Sequence, residues 1–291
     1  MSDAPNQPMP AIASWLLTPL SYLVLLGRAI IFRVAGFGQF TRFAGACVRG
    51  MFDGRAWFRR ERLLRQLYQG GTASIPVVAI TGGFIGMILA FEGYRQFQAI
   101  GQEARLGGVI NISIVKQIGP VLAAVMIAGR VGCSLTAELG TMRVTEQLDA
   151  MRAMGSDPVR VLVVPRFLAC LLVTPALTIA SNLCGIVGGF LITTQFYKAD
   201  VALYWRYSEQ FVGTFDIFSG LLKSVFFGGS IGLIACWKGF SCKAGAEGVG
   251  EATTDSFVTS FVAIILESLV LAKVLNDIDY AISGGITSVF R

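Results

Sequence analysis

The 291-residue sequence contains no histidine, so it cannot form a Ser-His-Asp triad and offers no imidazole for zinc or haem. It has six cysteines but no C-x-x-C pair, and most of them lie among apolar residues. We interpret them as small buried hydrophobes and expect no metal site. The G-x-x-x-x-G-K-[ST] phosphate loop is also missing, so the chain itself does not look like an ATPase.

Charged residues are scarce as well, at 14% of the chain against roughly 25% in soluble proteins. Hydrophobic residues make up 54%, and the mean hydropathy is +0.65, which is typical of a membrane protein. The formal charge of +6 comes with arginines clustered beside apolar segments, which indicates topology signals and no nucleic-acid surface. The polar N-terminus, MSDAPNQPMP, lacks the basic region of a cleaved signal peptide.

The first apolar segment, Ala11–Leu26, is interrupted by Pro19 and is shorter than the roughly 20 apolar residues that a span needs. We favour an amphipathic interfacial helix on the cytoplasmic face, with a true span as the competing interpretation. The densest group of arginines follows between Arg49 and Arg65. The positive-inside rule places this group in the cytoplasm.

Five later runs are long and apolar enough to cross a membrane. They are Thr72–Phe91, Val109–Ala128, Phe167–Phe196, Ile217–Trp237 and Phe257–Leu275. The predicted fold class is therefore an all-α membrane protein with about five transmembrane helices, the N-terminus inside and the C-terminus outside. We expect Glu92–Arg105 to be a mixed-charge outer connection and Lys198–Asp216 to contain a small outer helix.

Three G-x-x-x-G spacings occur inside the predicted spans, a pattern that lets helices approach closely. They are formed by Gly82 and Gly86, Gly185 and Gly189, and Gly228 and Gly232. In a chain with 34 glycines, we favour ordinary helix packing over a dedicated dimer contact.

The stretch from Glu138 to Arg166 is the longest charged interruption between spans, and it separates spans 2 and 3. We predict a short amphipathic helix over Thr141–Met154, with Thr141 as its cap and Gly155 just past its end. Asp157 and Pro158 then open another helix. The apolar stripe consists of Val144, Leu148 and Met151, and the expected ion pairs are Arg143 with Glu146 and Asp149 with Arg152. On pattern alone, we favour the interpretation that this helix is solvated and only joins two spans. The alternative is that it docks on a cytoplasmic partner.

Four ionisable residues fall inside predicted spans, where a charge costs at least about 2.5 kcal/mol. They are Lys116, Lys223, Glu267 and Lys273. The three lysines lie toward the outer half and could line a cavity for an anionic head group. Two alternatives remain open: Lys223 pairs with Glu267, or the lysines extend to the interface. Tyr94 could add an aromatic rim to the opening of this cavity. The stronger interpretation is that Tyr94 belongs to the ordinary belt of aromatic residues at the membrane interface.

The central stretch resembles the signature of the MlaE/YrbE family, permease subunits of ABC transporters that work with MCE proteins. The matching residues read AGRVGCSLTAELGTMRVTEQLDAMRAMGSDPVRVLVVPR. Further matches are GGFIGMILAFEGY, IGPVLAAVMIAGR, LLKSVFFG and GVGEATTDSFV. The resemblance covers roughly residues 68–275, which divides the chain into an N-terminal part (1–67), the permease domain and a C-terminal tail (276–291).

The resemblance implies an inner-membrane homodimer with two cytoplasmic ATPase subunits, which bind the ATP and Mg²⁺, and a periplasmic hexameric ring of MCE proteins. Phospholipid is the implied substrate, with a sterol or another hydrophobic compound as the alternative. The implied coupling residues are Glu138, Arg143, Glu146, Asp149 and Arg152, and the implied lipid-cavity residues are Leu89, Tyr94, Lys116 and Lys223. The chain departs from phospholipid-handling relatives at Lys116 and Gln117, where they tend to carry an Arg-Glu pair.

Two other classes of protein remain as alternatives. An intramembrane lipid-modifying enzyme is disfavoured because the chain has no histidine and no paired carboxylates within a span. A scaffold that only anchors an ATPase would differ from a permease in retaining no lipid.

Overall fold

The computed structural model describes residues 35–36, 38–51 and 60–282. Within that part of the chain every regular element is helical, which confirms the predicted all-α class. The chain forms two compact units, Met1–Ala46 and Cys47–Arg291, and the second contains all the elements described below. The predicted interfacial helix at Ala11–Leu26 lies outside the described residues.

The helices from residue 60 onward follow one another with short connections. They are α1 (Arg60–Gly70), α2 (Ile75–Ala99), α3 (Leu106–Ser113), α4 (Gly119–Ile127), α5 (Cys133–Val144), α6 (Gln147–Ala153), α7 (Val164–Leu191), α8 (Val201–Phe211), α9 (Thr214–Phe240) and α10 (Ala246–Ile282). Four π-helical turns extend or join them: Ile114–Ile118, Ala128–Gly132, Val159–Val163 and Ile192–Phe196. Short 3₁₀ turns at Thr72–Ser74 and Glu103–Arg105 precede α2 and α3.

Five continuous helical stretches of the described chain are long and apolar enough to cross a membrane, as predicted. They are Leu63–Ala99, Glu103–Val144, Val159–Phe196, Thr214–Phe240 and Ala246–Ile282, here called spans 1 to 5. Each is longer than the apolar run that predicted it. Span 1 continues through the expected outer connection at Glu92 as far as Ala99, because residues such as Glu, Arg and Gln favour helix once it has started.

The third span lies at the centre of the bundle, since its helix α7 packs against α1, α2, α4 and α9. The buried core includes residues of all five spans. Its members are Val78, Ala123, Ala124, Ile127, Ala128, Val173, Leu177, Phe227, Ile231 and Ile264. Many of these are small, so the helix axes approach closely.

The G-x-x-x-G motifs of spans 1 and 3 pack against each other within one chain. A Cβ on Gly86 would lie 1.9 Å from the carbonyl oxygen of Gly185, and one on Gly82 would lie 2.5 Å from that of Ser181. In the same way, a Cβ on Gly228 would come within 2.6 Å of the Cys170 carbonyl. These glycines serve packing inside the chain, which is the interpretation that the sequence favoured.

The connection between spans 2 and 3 differs from its prediction at the start. Helix α5 continues through Thr141 to Val144, and the Thr141 hydroxyl donates to the Ala137 carbonyl at 2.8 Å. Thr141 is therefore an interior residue of the long helix that forms span 2. The helical conformation is interrupted at Glu146, which has a left-handed φ of 58°, and the separate helix α6 follows. The predicted single helix over Thr141–Met154 is wrong because span 2 carries its own helix past the apolar run.

The end of the same segment follows its prediction. Gly155 has a φ of +73°, and its N–H donates to the Arg152 carbonyl at 2.9 Å. The Ser156 N–H donates to the Met151 carbonyl at 3.0 Å, which completes a Schellman motif. The Val159 N–H donates to Asp157 Oδ1 at 3.0 Å, so Asp157 caps the entry into span 3.

Candidate functional site

A proline in span 2 creates a free backbone carbonyl that a lysine of span 4 satisfies. Pro120 has no N–H, so the carbonyl of Lys116, four residues earlier, lacks its usual helical donor. Lys223 Nζ donates to that oxygen at 2.9 Å. The whole Lys223 residue is 1% exposed, so its ammonium is committed to partners inside the bundle.

Gln117 extends this contact to the last span. Its Oε1 accepts a second hydrogen bond from Lys223 Nζ at 2.8 Å, and its Nε2 donates to Ser268 Oγ at 2.6 Å. Spans 2, 4 and 5 are therefore joined through one chain of polar contacts. Hydrogen bonding of this kind is what makes a buried ammonium tolerable in apolar surroundings.

The other lysine forms an ion pair with a carboxylate that the sequence did not single out. Lys116 Nζ lies 2.9 Å from Asp216 Oδ1, and the Asp216 side chain is 2% exposed against 21% for Lys116. Asp216 Oδ2 also accepts from the Gly213 N–H at 3.0 Å. Because Asp216 lies in the first turn of α9, the partial positive charge of that helix end adds to its stabilisation.

The predicted intramembrane charges thus separate into different environments. Lys223 lies nine residues into α9, about 13 Å from its first residue and within the first half of span 4. That this half faces outward remains a prediction. The alternative pairing of Lys223 with Glu267 is wrong, since Glu267 instead accepts a hydrogen bond from Ser230 in the same helix as Lys223. Lys273 is exposed on span 5. Together Lys116, Lys223 and Asp216 leave one net positive charge.

The remaining predicted cavity residues form a separate apolar group where the end of span 1, the start of span 2 and the end of span 3 meet. Leu89 and Tyr94 pack against a buried cluster that includes Leu106 and Ile110. The Tyr94 ring stacks on that of Tyr197 with centroids 3.7 Å apart. The structure thus brings Leu89 together with Tyr94, and Lys116 together with Lys223, in two distinct clusters. That all four line one lipid cavity remains a prediction.

The helix expected between spans 3 and 4 is present as α8, and polar contacts fix it to span 2. Tyr204 donates to Asn111 Oδ1 at 3.1 Å, and Asn111 Nδ2 donates to Ser208 Oγ at 2.7 Å. A Cβ on Gly107 would lie 2.5 Å from the Tyr204 ring, so the glycine makes room for it. Burial raises the pKa of Tyr204 to about 12.

The predicted coupling residues lie along α5 and α6 on the arginine-rich side. Asp149 and Arg152 form the expected exposed pair, at 2.6 Å. Arg143 and Glu146 are both described by the structure, yet no ion pair joins them, since the left-handed backbone at Glu146 interrupts the helical spacing. Glu138 lies on the bundle side, and its pairing was missed by the sequence: its Oε1 is 2.7 Å from Nη2 of Arg166.

Five apolar helical spans joined by buried polar contacts define a multi-pass membrane protein. Residues 63–274 match the family described as Permease MlaE, and the chain belongs to that family. A probable ABC transporter permease protein of Synechocystis is 41% identical over 213 residues, which cover 73% of this chain and 81% of the relative. The family and its relatives identify a permease and not an enzyme.

Two further relatives carry more specific names. The intermembrane phospholipid transport system permease protein MlaE of Haemophilus influenzae is 31% identical over 88% of this chain and 98% of its own length. The chloroplastic protein TRIGALACTOSYLDIACYLGLYCEROL 1 of Arabidopsis thaliana is 34% identical over 79% of this chain and 65% of its own length.

Proposed function

We propose that the chain is the membrane subunit of an ABC transporter that moves phospholipid between the inner and outer membranes. The similarity to the Haemophilus influenzae phospholipid permease along nearly its full length supports this substrate class. In this proposal the chain forms a homodimer in the inner membrane, works with a periplasmic hexamer of MCE proteins and binds two cytoplasmic ATPase subunits that hold ATP and Mg²⁺. The chain itself supplies the path for the lipid.

The observation that carries the proposal is the two-sided character of α6. Leu148 is 1% exposed and anchors one face of this helix against the bundle. On the other face Asp149 and Arg152 are exposed, and Met154 at the end is 77% exposed. A short helix held on one side and free on the other is suited to dock on a partner, and it connects directly to spans 2 and 3.

In this proposal the lipid path includes Lys116, Lys223, Leu89 and Tyr94. The ammonium of Lys116 is partly exposed, so it is accessible to a lipid phosphate. Lys223 is buried and contributes indirectly, through its hydrogen bond to the Lys116 carbonyl. Charge-assisted hydrogen bonds of an ammonium to phosphate are stronger than those between neutral groups. ATP-driven movement of α6 would change the environment of this network, since lipid and ATP must each favour different conformations.

The test is a charge reversal on the exposed face, Glu146→Lys with Asp149→Lys. We expect this double variant to insert normally but to lose the co-purifying ATPase or its lipid-stimulated ATP hydrolysis, because the charge of the exposed face of α6 would be reversed. Glu209→Lys, on the exposed outer helix, is the matched control and should leave hydrolysis unchanged. Normal lipid-stimulated hydrolysis in the double variant would contradict the docking role.

A further inference from the structure

A cavity of about 770 Å³ lies where the cytoplasmic ends of spans 1, 2 and 3 meet α6. Its lining residues are Arg65, Gln66, Ser134, Glu138, Met142, Met151, Val161, Leu162, Pro165 and Arg166. The volume is in the range of sites that hold small molecules. The cavity is at the opposite end of the bundle from Lys116 and Lys223, so it is a separate feature from the proposed lipid path.

The cavity wall contains a buried guanidinium that is only partly satisfied. The Arg166 side chain is 5% exposed. Its Nη1 donates to the Leu162 carbonyl at 3.2 Å, and its Nη2 pairs with Glu138. No described residue accepts a hydrogen bond from its Nε, which is buried. A buried donor without an acceptor is destabilising, and a ligand oxygen would remove that cost.

A second arginine gives the cavity an excess of positive charge. Arg65 of α1 lines the cavity and is exposed, so Arg65 and Arg166 together outweigh the single carboxylate of Glu138. Gln66 and Ser134 add neutral hydrogen-bonding groups. Guanidinium groups are well matched to phosphate because they present several N–H donors in one plane.

The other walls are apolar and include Met142, Val161 and Pro165. A site with donors on one side and aliphatic groups on the other suits a phosphate ester attached to an apolar body. The lining comes from the ends of three spans. The positive-inside rule assigns these arginine-rich ends to the cytoplasmic side, so we expect the cavity at the level of the lipid head groups of that leaflet. A ligand there would also touch Met151 of α6.

We propose that this cavity binds a phosphate ester, carried by an anionic membrane lipid or by a soluble molecule, and that its occupancy affects the position of α6. The apolar walls and the depth in the membrane favour the lipid. This site would act beside the proposed transport path, and its binding does not require that path, since it can be measured on the full chain without ATP or partner proteins.

The test uses the full-length chain in detergent micelles with a photoreactive phosphatidylglycerol probe, and the labelled peptides are identified by mass spectrometry. We expect labelling within residues 134–142 and 161–166, removed by unlabelled phosphatidylglycerol. A phosphatidylcholine probe with the same photoreactive group should label these peptides far less. Retained labelling in the presence of excess glycerol phosphate assigns the site to lipid, whereas displacement by glycerol phosphate assigns it to a soluble ester.

Charge variants localise the interaction. Arg65→Gln should weaken labelling about tenfold, because it removes a charge-assisted contact. Arg206→Gln, which changes an exposed arginine of α8 that does not line the cavity, should label like the unmodified chain. Equal labelling by both probes, or no loss in Arg65→Gln at an unchanged melting temperature, would overturn the proposal.

Discussion

Glu138 of span 2 and Arg166 of span 3 form an ion pair of 2.7 Å next to the connection between these two spans. The two partners have unequal surroundings, since the Arg166 side chain is 5% exposed and that of Glu138 is 45% exposed. The carboxylate therefore compensates a guanidinium that has little access to water. This pair joins the two spans on either side of α6, so it fixes the base from which that helix projects.

Loss of this carboxylate should destabilise the protein. Glu138→Gln keeps the size of the side chain but leaves the buried Arg166 charge uncompensated, and we expect a loss of about 1–3 kcal/mol. This loss is smaller than that expected for a fully buried ion pair, because Glu138 is partly hydrated. Thermal unfolding of the purified chain measures the effect. Asp149→Asn, which removes the exposed pair with Arg152, should change stability by less than about 0.5 kcal/mol.

A single methyl group at the contact of spans 1 and 3 should disturb their packing. Gly86→Ala places a Cβ 1.9 Å from the Gly185 carbonyl oxygen, so the helices must separate, at an expected cost of about 1–3 kcal/mol or more. Gly83→Ala is the matched control, since its Cβ would lie 3.6 Å from its nearest neighbour, the Cys184 carbonyl oxygen, in ordinary contact. Melting temperatures of the two variants compare them directly, and an equal response would argue against this close approach.

Removal of the lysine that satisfies the Lys116 carbonyl should also be costly. Lys223→Met fills a similar volume but leaves that oxygen and Gln117 Oε1 without their donor, at about 1–3 kcal/mol. Lys273→Met, which changes an exposed lysine of span 5, should stay within about 0.5 kcal/mol. Chemical denaturation or heat inactivation can rank the two. A harmless Lys223→Met would mean that the Lys116 carbonyl needs no external donor.

The tyrosine that holds the outer helix predicts a dependence on alkaline pH. The folded pKa of Tyr204, about 12, exceeds the ordinary value of 10.0, because burial disfavours the phenolate. Its contribution to stability is therefore complete below pH 10 and declines between about pH 10 and 12. Tyr204→Phe should remove this part of the decline and cost about 1 kcal/mol at neutral pH through the lost Asn111 contact. Tyr207→Phe serves as the control in unfolding measurements across this pH range.

The sequence predicted the number of spans because long apolar runs are required wherever the chain crosses lipid. It also predicted that α6 ends just before Gly155 and that a helix begins at Asp157, since both features depend on local backbone chemistry. It failed at Thr141, because a residue that can cap a helix is equally able to remain inside one when the preceding span continues. Helix length beyond the apolar run has no strong sequence signal.

The partners of the charged residues were harder to predict. Asp216 lies 100 residues from Lys116 in the chain, and its role depends on how spans 2 and 4 pack. One local signal was available, since Pro120 must leave the Lys116 carbonyl without a helical donor. That signal indicates that a donor is needed, but it does not identify Lys223. The pairing of Glu138 with Arg166 likewise depends on the close contact of spans 2 and 3, which the segment containing α6 separates in the sequence.

The missing amide hydrogen of Pro120 has a mechanical consequence. Spans 2 and 4 cannot slide along each other by a helical turn without leaving the Lys116 oxygen and the Lys223 ammonium unpaired in hydrocarbon. That penalty locks the outer halves of the two spans in register. Any large displacement of one span along the other must therefore break these contacts, whereas the left-handed residue Glu146, beyond the far end of span 2, lies outside this network.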